Sequence, residues 1–194
     1  MKKIILLLII CISSLFSFSQ RQDILDGLDA IKDKWKLDNN GYVTIQKIVE
    51  TQGMSKEAVY NRAYSYFVYN YGSGADVIQA NDKEAGLIVG KGFYKITQGT
   101  GLSMVFKNFW HIVKVEIKEG RTRITVSLTQ YDEYFQGQKQ TWSMSMLYPL
   151  NQELGNYKRN VFGEFFIYAF RHAEETINGI AKSINEGELE DNNW

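Results

Sequence analysis

Cysteine is almost missing from this chain of 194 residues, and so is proline, with one of each. The one cysteine, Cys11, falls inside the apolar run Ile4–Ile12. Lys2 and Lys3 precede that run, and Ser17 and Ser19 follow it in the small-x-small spacing that a signal peptidase reads. The pattern predicts a signal peptide over residues 1–19, cleaved between Ser19 and Gln20. Ile10 is bulky where a lipoprotein needs a small residue, so Cys11 reads as part of the signal and not as a lipid anchor. The mature chain is then free of cysteine, which excludes disulfides, thiolate nucleophiles and thiolate metal sites. Long apolar runs are lacking too. Ile4–Phe18 is shorter than the ~20 residues of a spanning helix, and no later run approaches that length, so no membrane span is expected after signal removal.

Charge of one sign is not in excess. There are 22 basic and 22 acidic residues, and loss of Lys2 and Lys3 leaves 20 against 22. A partner selected by gross charge, nucleic acid above all, is therefore not expected. Histidine is scarce as well: His111 and His172 are the two in the chain. Neither has a companion at metal-ligand spacing, and Glu175, three residues after His172, fits a surface pair. No metal or cofactor is predicted. A nucleophile–histidine site built in space from distant residues stays open, with His111 or His172 as its base.

What is present is pattern. Asp23 to about Lys32 predicts an amphipathic helix, with Ile24, Leu28, Ile31 and Trp35 on one stripe. A turn at Asp38-Asn39-Asn40-Gly41 leads into a strand over Tyr42–Glu50. Ser55 is a helix cap, and Lys56–Tyr71 is the helix it starts, burying Val59, Ala63, Tyr66 and Phe67; its other tyrosines read as rim residues with hydroxyls in water. Two strands, Val77–Ala80 and Leu87–Ile96, form a hairpin about the polar turn Asn81–Gly86. Val105–Lys118 predicts a long strand with His111, Val113, Val115 and Ile117 on one face and Trp110, Ile112, Lys114 and Glu116 on the other. Arg121–Gln130 alternates most cleanly, Ile124, Val126 and Leu128 inward and Arg123, Thr125, Ser127 and Thr129 outward, as in a sheet covered on one side. A turn at Gln136-Gly137 precedes a strand over Thr141–Tyr148, closed by Pro149. The last element is a helix over Val161–Ile184, with Phe162, Phe166, Ala169, Ala173, Ile177, Ile180 and Ile184 at helical spacing. The acidic tail, 186–194, reads as frayed.

Gly86, Gly90, Lys91 and Gly92 mimic a phosphate loop, but the spacing fails and Lys91 is followed by glycine instead of Ser or Thr. The two strand glycines fit a bulge, a bend or the close approach of a crossing helix. Asp82 and Glu84, with Lys83 between them, are too few ligands for calcium and read as a solvated turn.

The segments Glu57-Ala58-Val59-Tyr60-Asn61-Arg62-Ala63, Val77-Ile78-Gln79, Asp82-Lys83-Glu84-Ala85-Gly86 and Ile88-Val89-Gly90-Lys91-Gly92 resemble an exported bacterial domain of unknown function with a TBP-like fold, over about Tyr42–Thr129. The resemblance implies an α+β architecture, a curved antiparallel sheet with helices on one face. The residue pattern adds an N-terminal helix and turn over 20–41 and a long C-terminal helix, in a single domain over 42–185. It implies no activity. DNA binding does not follow from the fold, because the DNA-binding saddle needs two copies of the unit and this chain has one. The expected role is a non-catalytic binding or accessory domain of the cell envelope, periplasmic or secreted, whose partner is an envelope protein or ligand. The alternatives are an envelope hydrolase using His111 or His172 and a structural subunit joined through a sheet edge. Candidate binding residues are Lys114 and Arg123 on the open sheet face and Trp142 in the Met- and aromatic-rich stripe with Met144, Met146 and Tyr148, a stripe that reads first as core packing.

Overall fold

A computed structural model describes residues 22–71, 77–98, 105–135, 137–144 and 155–187. The expected signal peptide, most of the acidic tail, and Met146, Tyr148 and Pro149 lie outside them. Helix α1 spans 22–31. It is followed by β1 (Lys36–Leu37), β2 (Val43–Glu50), α2 (Lys56–Asn70), β3 (Ile78–Asp82), β4 (Leu87–Gln98), β5 (Val105–Lys118), β6 (Arg121–Phe135), β7 (Gln138–Ser143) and α3 (Gly155–Glu186). All the strands join one antiparallel sheet in the order β1-β2-β6-β5-β4-β3, and β7 pairs with β6 beyond the end of β2.

Helices α2 and α3 cover one face. Ser55 caps α2 by accepting a hydrogen bond from the Ala58 amide at 3.2 Å. Val59, Tyr60, Ala63 and Phe67 of α2 are buried; Tyr66 is only half-buried, so the predicted stripe is rotated slightly toward Tyr60. The predicted α3 stripe is buried from Phe166 to Ile184, with Phe162 half-buried. Arg62 of α2 donates to the Ile184 carbonyl at 2.8 Å, satisfying one of the carbonyls a helix end leaves open, and Gly187 (φ +72°) ends α3 by donating to the Ser183 carbonyl. Under the helices lie Ile45, Ile88, Val113, Val115, Ile124, Val126 and Leu128, as the alternation predicts.

The glycines of β4 explain how α2 sits so low. A Cβ on Gly90 would come within 2.5 Å of the Phe67 ring, and one on Gly92 within 2.9 Å of the Tyr71 ring. Neither needs a positive φ; both are glycine because a helix crosses the sheet there. Of the readings offered for them, close approach holds at both, and Gly90 also lies at a β3–β4 bulge in which Gln79 is the extra residue.

Two strand assignments need correction. The alternation Ile124, Val126, Leu128 stops at Thr129, yet β6 runs on to Phe135. His111 pairs with Leu128 and Trp110 with Gln130, so Thr129 is an extra residue, a β-bulge. Beyond it Tyr131 faces the helices and Asp132 the open side, and the broken period hides a strand that never ends. Its partner β7 begins at Gln138 instead of Thr141 and ends at Ser143. The sequence also gave no warning of β1, two exposed residues held by β2.

Candidate functional site: the helix-free sheet face and the histidine cluster

Strand register assigns every side chain to a face. Lys114, Glu116, Arg123 and Thr125 lie on the helix-free face, as expected. Lys114 and Arg123 are not two independent handles, however. Glu116 accepts from Arg123 Nε at 2.8 Å and pairs with Lys114 Nζ at 2.9 Å. The Arg123 hydrogen bond above all, with help from Lys114 and against partial burial, brings the Glu116 carboxyl down to about 2. Beside this triad Ile48, Lys118 and Arg121 line a shallow depression of about 180 Å³.

The other end of the same face is aromatic. The Trp110 ring packs on Phe93 with centroids 5.1 Å apart, and Lys91 Nζ lies 5.2 Å from the Trp110 centroid. Phe93 is 47% exposed, although it is a large apolar side chain. Trp110 is held from beneath: its Nε1 donates to Asp132 Oδ2 at 2.7 Å, while Thr141 Oγ1 donates to Asp132 Oδ1 at 2.7 Å and Lys139 Nζ lies 3.0 Å from Oδ2. Asp132 has no exposed surface. Burial alone would raise its pKa, but the three donors outweigh that and leave it lowered. The result is a fixed indole with a free phenyl ring at its side.

Sequence reasoning placed Trp110 on this face but did not single it out, and it missed Phe93 and Asp132. The signal for Phe93 was available: Ile88 and Ile96 face the core, so Phe93 falls out of phase with them and must face outward. Asp132 was not reachable without the bulge.

Trp142, the third binding candidate, is on the opposite side. It pairs with Tyr131, is half-buried and packs against the core. It joins the cluster under the helices and not the open face.

His111 and His172 are brought to one region, with the Tyr94 ring between them. Tyr94 stacks on His111 at 4.0 Å and 15° and on His172 at 5.4 Å and 27°. His111 is 1% exposed, with Nε2 3.1 Å from the Tyr71 hydroxyl. Burial lowers its pKa to about 4, opposed only in part by the Phe109 backbone. Tyr71 thus sends its hydroxyl into the core, not to the rim as expected, and burial raises its pKa. Tyr94 donates its hydroxyl to Thr176 Oγ1 at 2.8 Å, since Thr176 donates its own proton to the His172 carbonyl. His172 Nδ1 lies 2.9 Å from Glu175 Oε2, an exposed pair of the predicted kind. Among the described residues neither imidazole meets a serine or threonine hydroxyl. The hydroxyl on His111 belongs to a buried phenol that resists ionisation, which is a poor nucleophile.

One buried charge had no sequence signal. Lys107 shows 3% of its side chain to solvent, and its Nζ pairs with Glu133 at 3.0 Å. The rings of Phe165, Tyr131 and Phe162 surround the ammonium at 4.1, 5.0 and 5.5 Å from their centroids. Burial lowers its pKa, and Glu133 opposes that. Among the described residues there is no cluster of three His, Cys, Asp or Glu that could hold a metal ion, and no helix is long and apolar enough to cross a membrane.

Comparison with known proteins agrees with this architecture. A crystal structure of a DUF4468 family protein from Bacteroides ovatus superimposes with a TM-score of 0.55 at 13% identity, over 79% of this chain and 91% of that one. A crystal structure of a TBP-like protein from Parabacteroides distasonis gives 0.54 at 15% identity, over 75% and 96%. At such identities the likeness shows the fold alone. No curated protein matches the chain. The family model of DUF4468, a domain of unknown function with a TBP-like fold, matches residues 46–132, close to the Tyr42–Thr129 stretch on which the resemblance was seen. The middle of this chain, from within β2 to the bulged strand β6, is thus similar to the DUF4468 family, and the chain has the TBP-like fold.

Proposed function

We propose that the chain is an exported, non-catalytic binding domain of the bacterial cell envelope, and that it meets its partner with the helix-free face of the sheet. The observation that carries this reading is the exposed Phe93 ring beside an indole fixed by Asp132. A rigid aromatic with a polar anchor contributes contact area at low entropic loss, which suits a recognition surface. Lys114 and Arg123 then act as a charged border, spaced by their shared hold on Glu116. The N-terminal signal pattern supports export, and the occupied state of His111 favours binding over hydrolysis.

Affinity capture from envelope fractions tests the surface. Wild type is expected to retain an envelope component that Phe93→Ser retains poorly, since Phe93 is exposed and its loss leaves the fold intact. Identical recovery by wild type, Phe93→Ser and Arg123→Glu would refute the face. Fusing the first residues of the chain to alkaline phosphatase tests export; the reporter should be active outside the cytoplasm, and the mature N-terminus should begin at Gln20.

A further inference from the structure

Strand register sorts the charges onto two faces. On the helix-free face β4 contributes Lys91 and Lys95, β5 Lys114 and Lys118, and β6 Arg121 and Arg123. The acids of these strands on that face are Glu116 and Asp132. Glu116 is held by Lys114 and Arg123, and Asp132 is buried. The outer strands balance, Lys36 and Lys139 against Glu50 and Asp82. Counting the turn acids Glu84 and Glu119 against the face still leaves it positive. The whole chain is neutral, so the excess belongs to this face.

Four of the cations, Lys91, Lys95, Lys118 and Arg121, are exposed and make no ion pair among the described residues. They stand in two like groups. Lys91 and Lys95 flank Phe93, 47% exposed, and rest over the rings of Trp110 and Phe106. Lys118 and Arg121 lie directly opposite each other beside Ile48, 54% exposed, in the shallow depression. Like charges set opposite in this way are unfavourable until an anion meets them. Phe93 pairs with Trp110, eight residues before Lys118 on β5, so about 27 Å separates the two groups.

We propose that the helix-free face docks on a membrane surface rich in anionic lipid headgroups. This rests on the export and the binding face proposed above and names the partner by its chemistry. Each group joins one apolar anchor to two cations, the composition of an interfacial membrane binder. The ring or branched chain enters the acyl boundary, and the cations lie among the phosphates. The separation of the groups selects the occupant. It exceeds the Debye length of about 8 Å several times over, so each group needs its own counter-charge, and no small anion reaches both. An acidic protein segment would have to carry acids and an apolar residue at both ends of the face. A bilayer surface offers that combination everywhere.

Co-sedimentation of the mature chain with vesicles tests the docking. One set is phosphatidylcholine alone, and the other is an equal mixture with phosphatidylglycerol. The mixed vesicles should carry the protein down and release it as salt is added, and the neutral ones should not carry it. The double variants Lys91→Gln, Lys95→Gln and Lys118→Gln, Arg121→Gln should each lower partitioning about 25-fold, at a factor of about five per cation. The two losses should multiply in the fourfold variant, because the groups are far apart. Lys91→Arg with Lys95→Arg keeps the charge and should keep the binding. Equal binding to both vesicle sets, no binding to either, or a loss confined to one group overturns the proposal. If vesicles fail while envelope capture still depends on Phe93, the partner is a protein and the lipid assignment alone falls; if both fail, the face falls with it.

Discussion

Replacing His111 with Gln should change how the stability of this protein responds to acid. In the folded chain the imidazole has a pKa of about 4, against 6.5 for the exposed group. The fold therefore refuses a proton that the unfolded chain accepts. The corresponding stability is fully present above pH 6.5 and is lost as pH falls from 6.5 to about 4. That gap corresponds to about 3 kcal/mol, with a slope approaching ~1.4 kcal/mol per pH unit where one proton separates the two states. The ring is 1% exposed, so solvent screening removes little of it. Glutamine cannot titrate. It loses the stack on Tyr94 and weakens the protein at pH 7, by about 1–3 kcal/mol for a buried polar site, but it removes the acid slope. Urea unfolding followed by tryptophan emission, at steps from pH 7 to pH 4, reads both terms. The difference in stability between wild type and variant should shrink steadily as pH falls through that window. Glu116, lowered to about 2, loses its contribution mainly below 4.5 and adds the same loss to both proteins. Parallel stability curves from pH 7 to pH 4 would show that the buried imidazole is not the group refusing the proton.

Gly90→Ala should destabilise by about 1–3 kcal/mol through overpacking against the Phe67 ring, which has no free space to retreat into. Phe67→Leu in the same chain should return part of that loss in urea unfolding. Glu133→Gln removes the partner of a buried ammonium; because Glu133 is 30% exposed, the expected loss at pH 7 is about 1–3 kcal/mol, below that of a fully buried pair. The folded pKa of Lys107 is lowered, so stability recovers as pH rises from that value toward 10.5, and unfolding at pH 7 and pH 9.5 should show the variant closing on wild type. Arg123→Ala should alter stability by less than about 1 kcal/mol, as for exposed pairs. It should nonetheless raise the Glu116 carboxyl pKa toward its ordinary value, measurable by carboxyl-carbon NMR, since Arg123 is the largest cause of its lowering.

Elements whose burial repeats with a fixed period were legible from the sequence. Phe166, Ala169, Ala173, Ile177, Ile180 and Ile184 state a helix face, and Ile124, Val126 and Leu128 state a strand face, because each side chain reports its own direction. Lys114 and Arg123 were placed on the correct face by the same rule. What escaped depends on neighbours far along the chain. Nothing local marks Thr129 as an extra residue, so Asp132 could not be seen under Trp110. Lys107 reads as an ordinary surface lysine until Phe165 and Phe162 of α3 close around it. Tyr71 looked like a rim tyrosine because the imidazole that receives its hydroxyl lies 40 residues away.

The bulge at Thr129 acts as a phase shifter in the longest strand. Residues 121–128 keep step with β2, and residues 130–135 keep step with β7, each half counting its inward and outward positions from a different origin. The charged end of the open face and its aromatic end therefore answer to separate registers on one backbone. Deleting Thr129 would bring the two into a common count with Tyr131 still toward the helices and Asp132 still on the open side, because Leu128 and Gln130 would then alternate directly. Substitutions on either side of the bulge leave the other half in step, so the chemistry of one end can be rewritten while the geometry of the other is retained.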